Sequence, residues 1–295
     1  MAGLIKNNNE WNELWWPAPA KLNLMLNIVG QRADGYHELQ TVFQLLAIND
    51  WLNFTPSDKN EIELNEGSSE IPVESNLITR AAKLLKESSG TQLGVKIDLK
   101  KILPMGAGLG GGSSDAATTL LVLNKLWSLD YSNDELAALG LQLGADVPVF
   151  VQGKSAWAEG VGERITPIEL PECWFVVVNS GIHLSTREVF AHNSLTRDNA
   201  AITIRDFLSG QVSNDCLPVV RKMSRELDDI YQQFSQFKKV FLTGTGSSLF
   251  AKCDTRPEAV LLTSQLPNNW TMWVVRGQNE SPVHKSLKQF FNQVD

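Results

Sequence analysis

The chain has 295 residues, 43% hydrophobic and 20% charged, a composition that excludes a largely disordered protein. Its 26 basic and 33 acidic side chains leave a net charge of −7, so no broad basic face for nucleic acid is expected, although one cleft can still attract an anion. Cys173, Cys216 and Cys253, with His37, His183, His192 and His284, fall into neither a disulfide nor a zinc spacing, so the cysteines are expected to be reduced core residues.

In chain order, the residues before Pro17 carry no assigned role. Leu22, Leu24, Leu26 and Ile28 then alternate with Lys21, Asn23, Met25 and Asn27, which predicts a strand with Lys21, Asn23 and Asn27 on one face. A turn over Gly30–Gly35 leads to a second strand from about Leu39 to Ala47. The polar stretch Ser57–Glu70 reads as a loop. Ser75 or Asn76 can cap a helix bearing Leu77, Ala81, Leu84 and Leu85. Val95, Ile97 and Leu99 alternate as a strand and run into Pro104. A glycine-rich loop follows, then an apolar helix from about Ser113 to Trp127. Ser132-x-x-Glu135 is a capping box that opens another helix. Near Gly153–Gly162 the pattern changes to turns. Beyond it come a strand at Trp174–Val178, a polar loop at Arg197–Ala201 and one long amphipathic helix carrying Leu217, Val220, Met223, Leu227, Ile230 and Phe234. A strand near Leu249, a helix from Pro257 and a strand at Met272–Val275 complete the pass. Strands and helices without regular alternation predict an α+β protein in two lobes, 1–155 and 156–295. No apolar run is long enough for a membrane helix and the start shows no signal-peptide region, so a cytoplasmic enzyme without a membrane partner is expected.

The most informative segment is Pro104-Met105-Gly106-Ala107-Gly108-Leu109-Gly110-Gly111-Gly112-Ser113-Ser114, between a predicted strand and a predicted helix. Glycines let backbone approach a ligand without a Cβ clash, and the following helix start offers free N–H groups and a positive dipole end. Two serine hydroxyls stand beside them. Together they form a phosphate cradle. Three common nucleotide motifs do not account for it. The formal G-x-G-x-x-G match lacks an acid at the end of a second parallel strand; no lysine completes a P-loop; and His-Arg-Asp and Asp-Phe-Gly are absent.

The loop resembles the phosphate loop of the GHMP kinases, small-molecule kinases for sugars, homoserine and mevalonate. Pro19-Ala-Lys-Leu-Asn-Leu24, Arg32-Ala-Asp-Gly-Tyr-His37, Leu143-Gly-Ala-Asp-Val-Pro-Val-Phe150 and Leu242-Thr-Gly-Thr-Gly-Ser247 resemble one branch of that family, and the blocks span Pro19 to about Ser286. The resemblance implies an N-terminal nucleotide-binding lobe and a ferredoxin-like C-terminal lobe. It also implies ATP as phosphoryl donor with Mg²⁺, and an acceptor alcohol, a methylerythritol of the non-mevalonate isoprenoid route, that carries a cytidine diphosphate. Metal contacts are undetermined apart from Ser114.

Phosphoryl transfer to an alcohol needs a cradle, charge neutralisation and a group to take or orient the hydroxyl proton. By resemblance Lys21 is the catalytic lysine, Asn23 a substrate-site asparagine and Asp146 the base. From residues alone, the Lys21 face is also explained by solvent exposure and Asp146 by a cap or turn. An acid so closely flanked by Val147–Val151 must nevertheless be paired, hydrogen-bonded or functional. Tyr36 and Phe190 resemble stacking rings for the cytosine, with His37 hydrogen-bonding its edge and Thr186 nearby; a surface pair is the competing explanation for Tyr36-His37. Gly244, Thr245 and Gly246 form a second glycine turn that the family places beside the site, though a structural turn would read the same. Asn76 and Lys101 resemble the nucleotide-base side of the ATP site. A GHMP kinase for another alcohol, of homoserine or mevalonate type, and a non-catalytic nucleotide-binding module are the alternatives. The first has no use for Tyr36, His37 and Phe190, and the second none for the pairing of Lys21 with Asp146.

Overall fold

Two long antiparallel strands organise the molecule: β1 (Trp15–Gln31) pairs along its length with β2 (His37–Ser57). They are seen in a computed structural model that describes residues 14–65 and 72–291. The start of the chain before Leu14, with most of the segment that has no assigned role, lies outside the described residues, as does the end of the polar stretch at 66–71. Both strands run further than alternation predicts. Pro17 and Pro19 interrupt the pattern yet are tolerated in β1, because among the described strands β1 pairs only with β2 and one edge needs no donors.

β2 also meets β4 (Gly94–Lys100), β5 (Ala156–Gly160) and β10 (Thr271–Gln278), so it joins the two halves of the chain in one sheet. The polar stretch after Ser57 contains β3 (Ile62–Asn65), parallel to β4. The region read as turns near Gly153–Gly162 is a hairpin of β5 and β6 (Arg164–Pro167). In the C-terminal half, β7 (Trp174–Asn179), β8 (Val240–Leu242), β9 (Ser248–Cys253) and β10 lie in the order β10-β7-β9-β8, all antiparallel, with helices in the first and last connections. That is the split βαβ arrangement, so the ferredoxin-like expectation holds.

The N-terminal helices are α1 (Leu77–Ser89), α2 (Gly111–Leu126), α3 (Asn133–Leu141) and α4 (Val147–Gln152). The predicted starts hold: Asn76 accepts from the Ile78 N–H at 2.9 Å, and Ser132 with Glu135 closes the capping box. Helices α5 (Thr186–Ala191) and α6 (Ile204–Leu208) flank the polar stretch at Arg197–Ala201. The long amphipathic helix is in fact two, α7 (Leu217–Met223) and α8 (Arg225–Ser235), because Ser224 is extended (φ −133°) and its hydroxyl caps α8 through the Leu227 N–H. α9 (Arg256–Gln265) follows, and α10 (Pro282–Phe291) returns to the N-terminal half. There Phe290 and Phe291 pack on fully buried Trp16, with ring centroids 5.7 and 6.5 Å away. The three cysteines are free and buried.

β1 carries register shifts between Pro19 and Lys21, Asn23 and Met25, and Ile28 and Gly30. Each extra residue turns the following side chains to the other face. Lys21 and Asn23 stay together, but beyond the second shift Leu26, opposite Thr41, takes their face, and Asn27, opposite Gln40, leaves it. Asn27 instead donates to Gln40 Oε1 and the Ala200 carbonyl. The expectation that Asn27 shares the Lys21 face is thereby corrected.

Candidate active site

A cleft of about 980 Å³ lies between the two halves. Its floor is the face of β1 and β2 bearing Lys21, Asn23, Leu26, Leu39, Thr41 and Phe43, and one wall is the glycine loop. The loop is braced from behind. Gly108 (φ +77°) runs so close to the second glycine turn that a Cβ would enter the Thr243 carbonyl, and Thr243 Oγ1 donates to the Gly108 carbonyl at 2.9 Å. The same hydroxyl accepts from the Asn23 N–H at 3.0 Å.

Lys21 is 3% exposed, and its ammonium donates to Asn23 Oδ1 at 2.6 Å and pairs with Asp146 Oδ2 at 3.1 Å. Asn23 is itself oriented, because its amide donates to Thr41 Oγ1 at 2.9 Å. Asp146 precedes α4 in the capping position but makes no capping bond with its side chain. Its carboxylate is partly open to the cleft rather than buried, as its apolar neighbours had suggested. The site therefore holds an ion pair with one enclosed and one accessible partner. Such a pair can take a proton from a bound hydroxyl and offset the charge left on oxygen.

Beside the loop, where a Cβ on Gly111 would lie 3.1 Å from its Nζ, Lys101 sits between Asp50 Oδ2 and Asp115 Oδ2, at 2.6 and 2.7 Å. Asp50 also accepts from the Ile102 and Leu103 N–H groups, which fixes the entry to the loop. Burial works to lower the Lys101 pKa, but the carboxylates of Asp115 and Asp50 outweigh it and hold the group above its usual value. Two enclosed carboxylates share one ammonium. Burial, reinforced by Asp50 and opposed by Lys101, pushes Asp115 up to about 7.

At the far end, Phe190 lines the cleft with Thr186, whose hydroxyl meets that of Thr245 at 2.9 Å. The His37 ring stacks on Phe190, with centroids 4.9 Å apart and planes 24° from parallel. Burial first, and then the Arg197 charge, hold the His37 imidazole below its ordinary 6.5.

Comparison with known proteins agrees with this arrangement. A family model described as GHMP kinases N terminal domain matches residues 76–154, and one described as GHMP kinases C terminal matches 197–271. The 4-diphosphocytidyl-2-C-methyl-D-erythritol kinase of Nitrosococcus oceani is 50% identical over 276 residues, covering 94% of this chain and 99% of that one. The chain belongs to the GHMP kinases, in their 4-diphosphocytidyl-2-C-methyl-D-erythritol kinase branch. The Chromohalobacter salexigens member of this branch is likewise 50% identical, covering 92% of this chain and 93% of its own. A solved 4-(cytidine 5'-diphospho)-2C-methyl-D-erythritol kinase superposes with a TM-score of 0.79 at 32% identity, over 90% of this chain and 100% of that one. The Methanococcus jannaschii mevalonate kinase shares the fold, with a TM-score of 0.66 at 16% identity, over 90% of this chain and 98% of that one.

Within this GHMP kinase most of the sequence-predicted residues converge on the one cleft: Lys21, Asn23, Asn76, Lys101, Asp146, Thr186, Phe190, the 244–246 turn and the loop from Pro104 to Ser113 except Leu109. Four do not line it. Leu109 is buried in the core, Ser114 is fully buried, the buried His37 ring is stacked on Phe190, and Tyr36 is 65% exposed in the turn before β2. Thr243, Asp50, Asp115 and Arg197 went unnoticed in the sequence. Three of them act through contacts 51 to 220 residues away in the chain, and the fourth, Asp115, follows Ser114 where only an apolar helix was read.

Proposed function

We propose that this kinase transfers the γ-phosphoryl group of ATP to the 2-hydroxyl of 4-diphosphocytidyl-2-C-methyl-D-erythritol, in the cytoplasm, for isoprenoid precursor synthesis. The observation that carries the reading is the Lys21–Asp146 pair at 3.1 Å, set in the same cleft as the glycine loop and the Phe190 ring. In it, the loop from Pro104 to Ser113 cradles the triphosphate, with Asn76 and Lys101 toward the adenine. Asp146 takes the hydroxyl proton, Lys21 offsets the charge developing on that oxygen, and Asn23 aims Lys21. Phe190 and Tyr36 flank the cytosine, His37 bonds its edge, and Thr186 with Gly244, Thr245 and Gly246 borders the rest of the alcohol. The division at about residue 155 separates the loop-bearing lobe from the one that supplies Phe190.

Mg²⁺ fits this site as an ion held chiefly by phosphate oxygens and water. Ser114 Oγ is buried without a hydrogen-bond partner, Ser113 is on the cleft wall, and the Asp115 Oδ2 atom is engaged by Lys101. When bound, the ion neutralises charge on the triphosphate. Among the described residues no cluster of three or more His, Cys, Asp or Glu stands ready to hold a metal by itself, and no helix is long and apolar enough to cross a membrane.

The test is ADP release with the cytidyl alcohol, homoserine and mevalonate as competing acceptors. Turnover confined to the cytidyl alcohol is expected. Equal turnover with an alcohol lacking a base would remove the assignment of the Phe190 end.

A further inference from the structure

We infer that Arg197 is a positioning residue for the base end of the cleft, holding His37 in the tautomer with its proton on Nδ1 and fixing Phe190 against it. Arg197 stands between α5 and α6 and reaches His37 across 160 residues of chain, its Nε donating to His37 Nε2 at 3.1 Å. The rest of the guanidinium is anchored. Nη1 donates to the Leu195 carbonyl at 3.0 Å, and Nη2 to the carbonyls of Phe190 at 2.7 Å and His192 at 3.0 Å.

A guanidinium has only donors and keeps its proton at any ordinary pH, so the atom facing Nε must offer a lone pair. His37 Nε2 is therefore unprotonated and the single ring proton sits on Nδ1. A hydrogen bond to one imidazole nitrogen decides what the other presents. Among the described residues nothing pairs with Nδ1. His37 begins β2 two residues before Leu39, on the strand face whose next members Leu39, Thr41 and Phe43 line the cleft. The polar edge kept for a ligand is thus a donor, which suits a ring nitrogen or carbonyl of a pyrimidine and not its amino group. By bonding the Phe190 and His192 carbonyls at the end of α5, the same side chain sets where the Phe190 ring stands. A lysine could supply the charge, but not a fork that spans an imidazole and three carbonyls.

The inference rests on the reading that the cytidyl group binds beside Phe190 and His37, and its test separates the two. Nitrogen-15 NMR of the histidine rings in the full-length free protein reports the tautomer without any substrate. A protonated Nδ1 on His37 is expected. A protonated Nε2 would overturn the inference outright. In Arg197→Met the ring should shift toward a mixture of tautomers, and KM for the cytidyl alcohol should rise at least tenfold while KM for ATP changes less than twofold. Arg197→Lys should not restore it. An Arg197→Met protein that keeps both the native tautomer and the native KM refutes the positioning role. A raised KM with an unchanged tautomer also refutes it, and would reduce Arg197 to a cap on α5. His37→Ala with a normal KM would overturn the base-end reading itself, whatever the ring spectra show.

Discussion

Replacing Lys21 by Met removes the ammonium while keeping an unbranched chain of similar volume in its enclosed site. The geometry sets the size of the loss. Nζ lies 3.1 Å from the Asp146 carboxylate, and unit charges at that distance interact by about 5 kcal/mol at an effective dielectric of about 20. Asp146 has 34% of its side chain exposed, so screening by water roughly halves this. The oxygen that loses its proton to Asp146 must lie against the same ammonium, and its developing charge forfeits a comparable amount. A loss of about 2.5–5 kcal/mol from the transition state alone is about 10²–10⁴ in kcat. Steady-state ADP release should show that fall, with KM for both substrates within about threefold of native. Because proton transfer and charge stabilisation are one event, Lys21→Met with Asp146→Asn should be no slower than the slower single variant. A loss under about tenfold in Lys21→Met, or losses that multiply in the double variant, would refute the reasoning.

Gly110→Val should abolish ATP binding by calorimetry and lower Tm: φ is +72°, and a Cβ would lie 2.9 Å from both Lys21 Cε and the Phe150 ring. Normal ATP affinity in that variant would make the loop a mere spacer. Phe190→Ala and Tyr36→Ala should raise KM for the cytidyl alcohol at least tenfold with KM for ATP unchanged, Phe190→Ala more so because it also frees the His37 ring; stacking of a base is worth about 1–3 kcal/mol. If ATP binding is lost instead, the two ends of the cleft are assigned backwards. His284 donates to the Val151 carbonyl at 2.9 Å, and burial, followed by the Lys288 charge, holds its pKa below 6.5. The unfolded chain therefore takes up a proton that the native protein refuses, so the stabilisation is complete above pH 6.5 and is lost on acidification. Thermal melts from about pH 7.5 to about pH 5 should show a smaller decline for His284→Gln than for the native protein; an identical decline would mean that His284 titrates normally.

Short-range rules carried much of this structure. The cap at Asn76, the box at Ser132 and Glu135 and the glycine loop were legible because each depends on neighbours within a few residues. The break at Ser224 was missed because apolar spacing continues through it, and only the capping hydroxyl marks the stop. The bulges in β1 were invisible for a different reason. Alternation is intact in the letters from Lys21 to Ile28, and the slip exists only in the pairing with β2, so the face of Asn27 was misassigned while that of Asn23 was not. Lys21 and Asp146 were found through resemblance, since their contact joins segments whose separate patterns are equally those of a solvent-facing strand and a helix cap. Arg197 left no pattern in the letters: three of its partners are backbone carbonyls within seven residues, which any sequence offers, and the fourth is a ring 160 residues away.

The brace between Gly108 and Thr243 bears on how the enzyme comes into being. The two residues are 135 positions apart, and Ser248 adds a bond from its N–H to the Ala107 carbonyl. A ribosome must therefore deliver the chain past Ser248 before the nucleotide loop acquires its rear support. Until then the growing chain has the glycines but not the wall that holds them, so truncated products should be poor at sequestering ATP. An isolated N-terminal half should fail for the same reason, and adding the C-terminal half in trans is the way to recover a working loop.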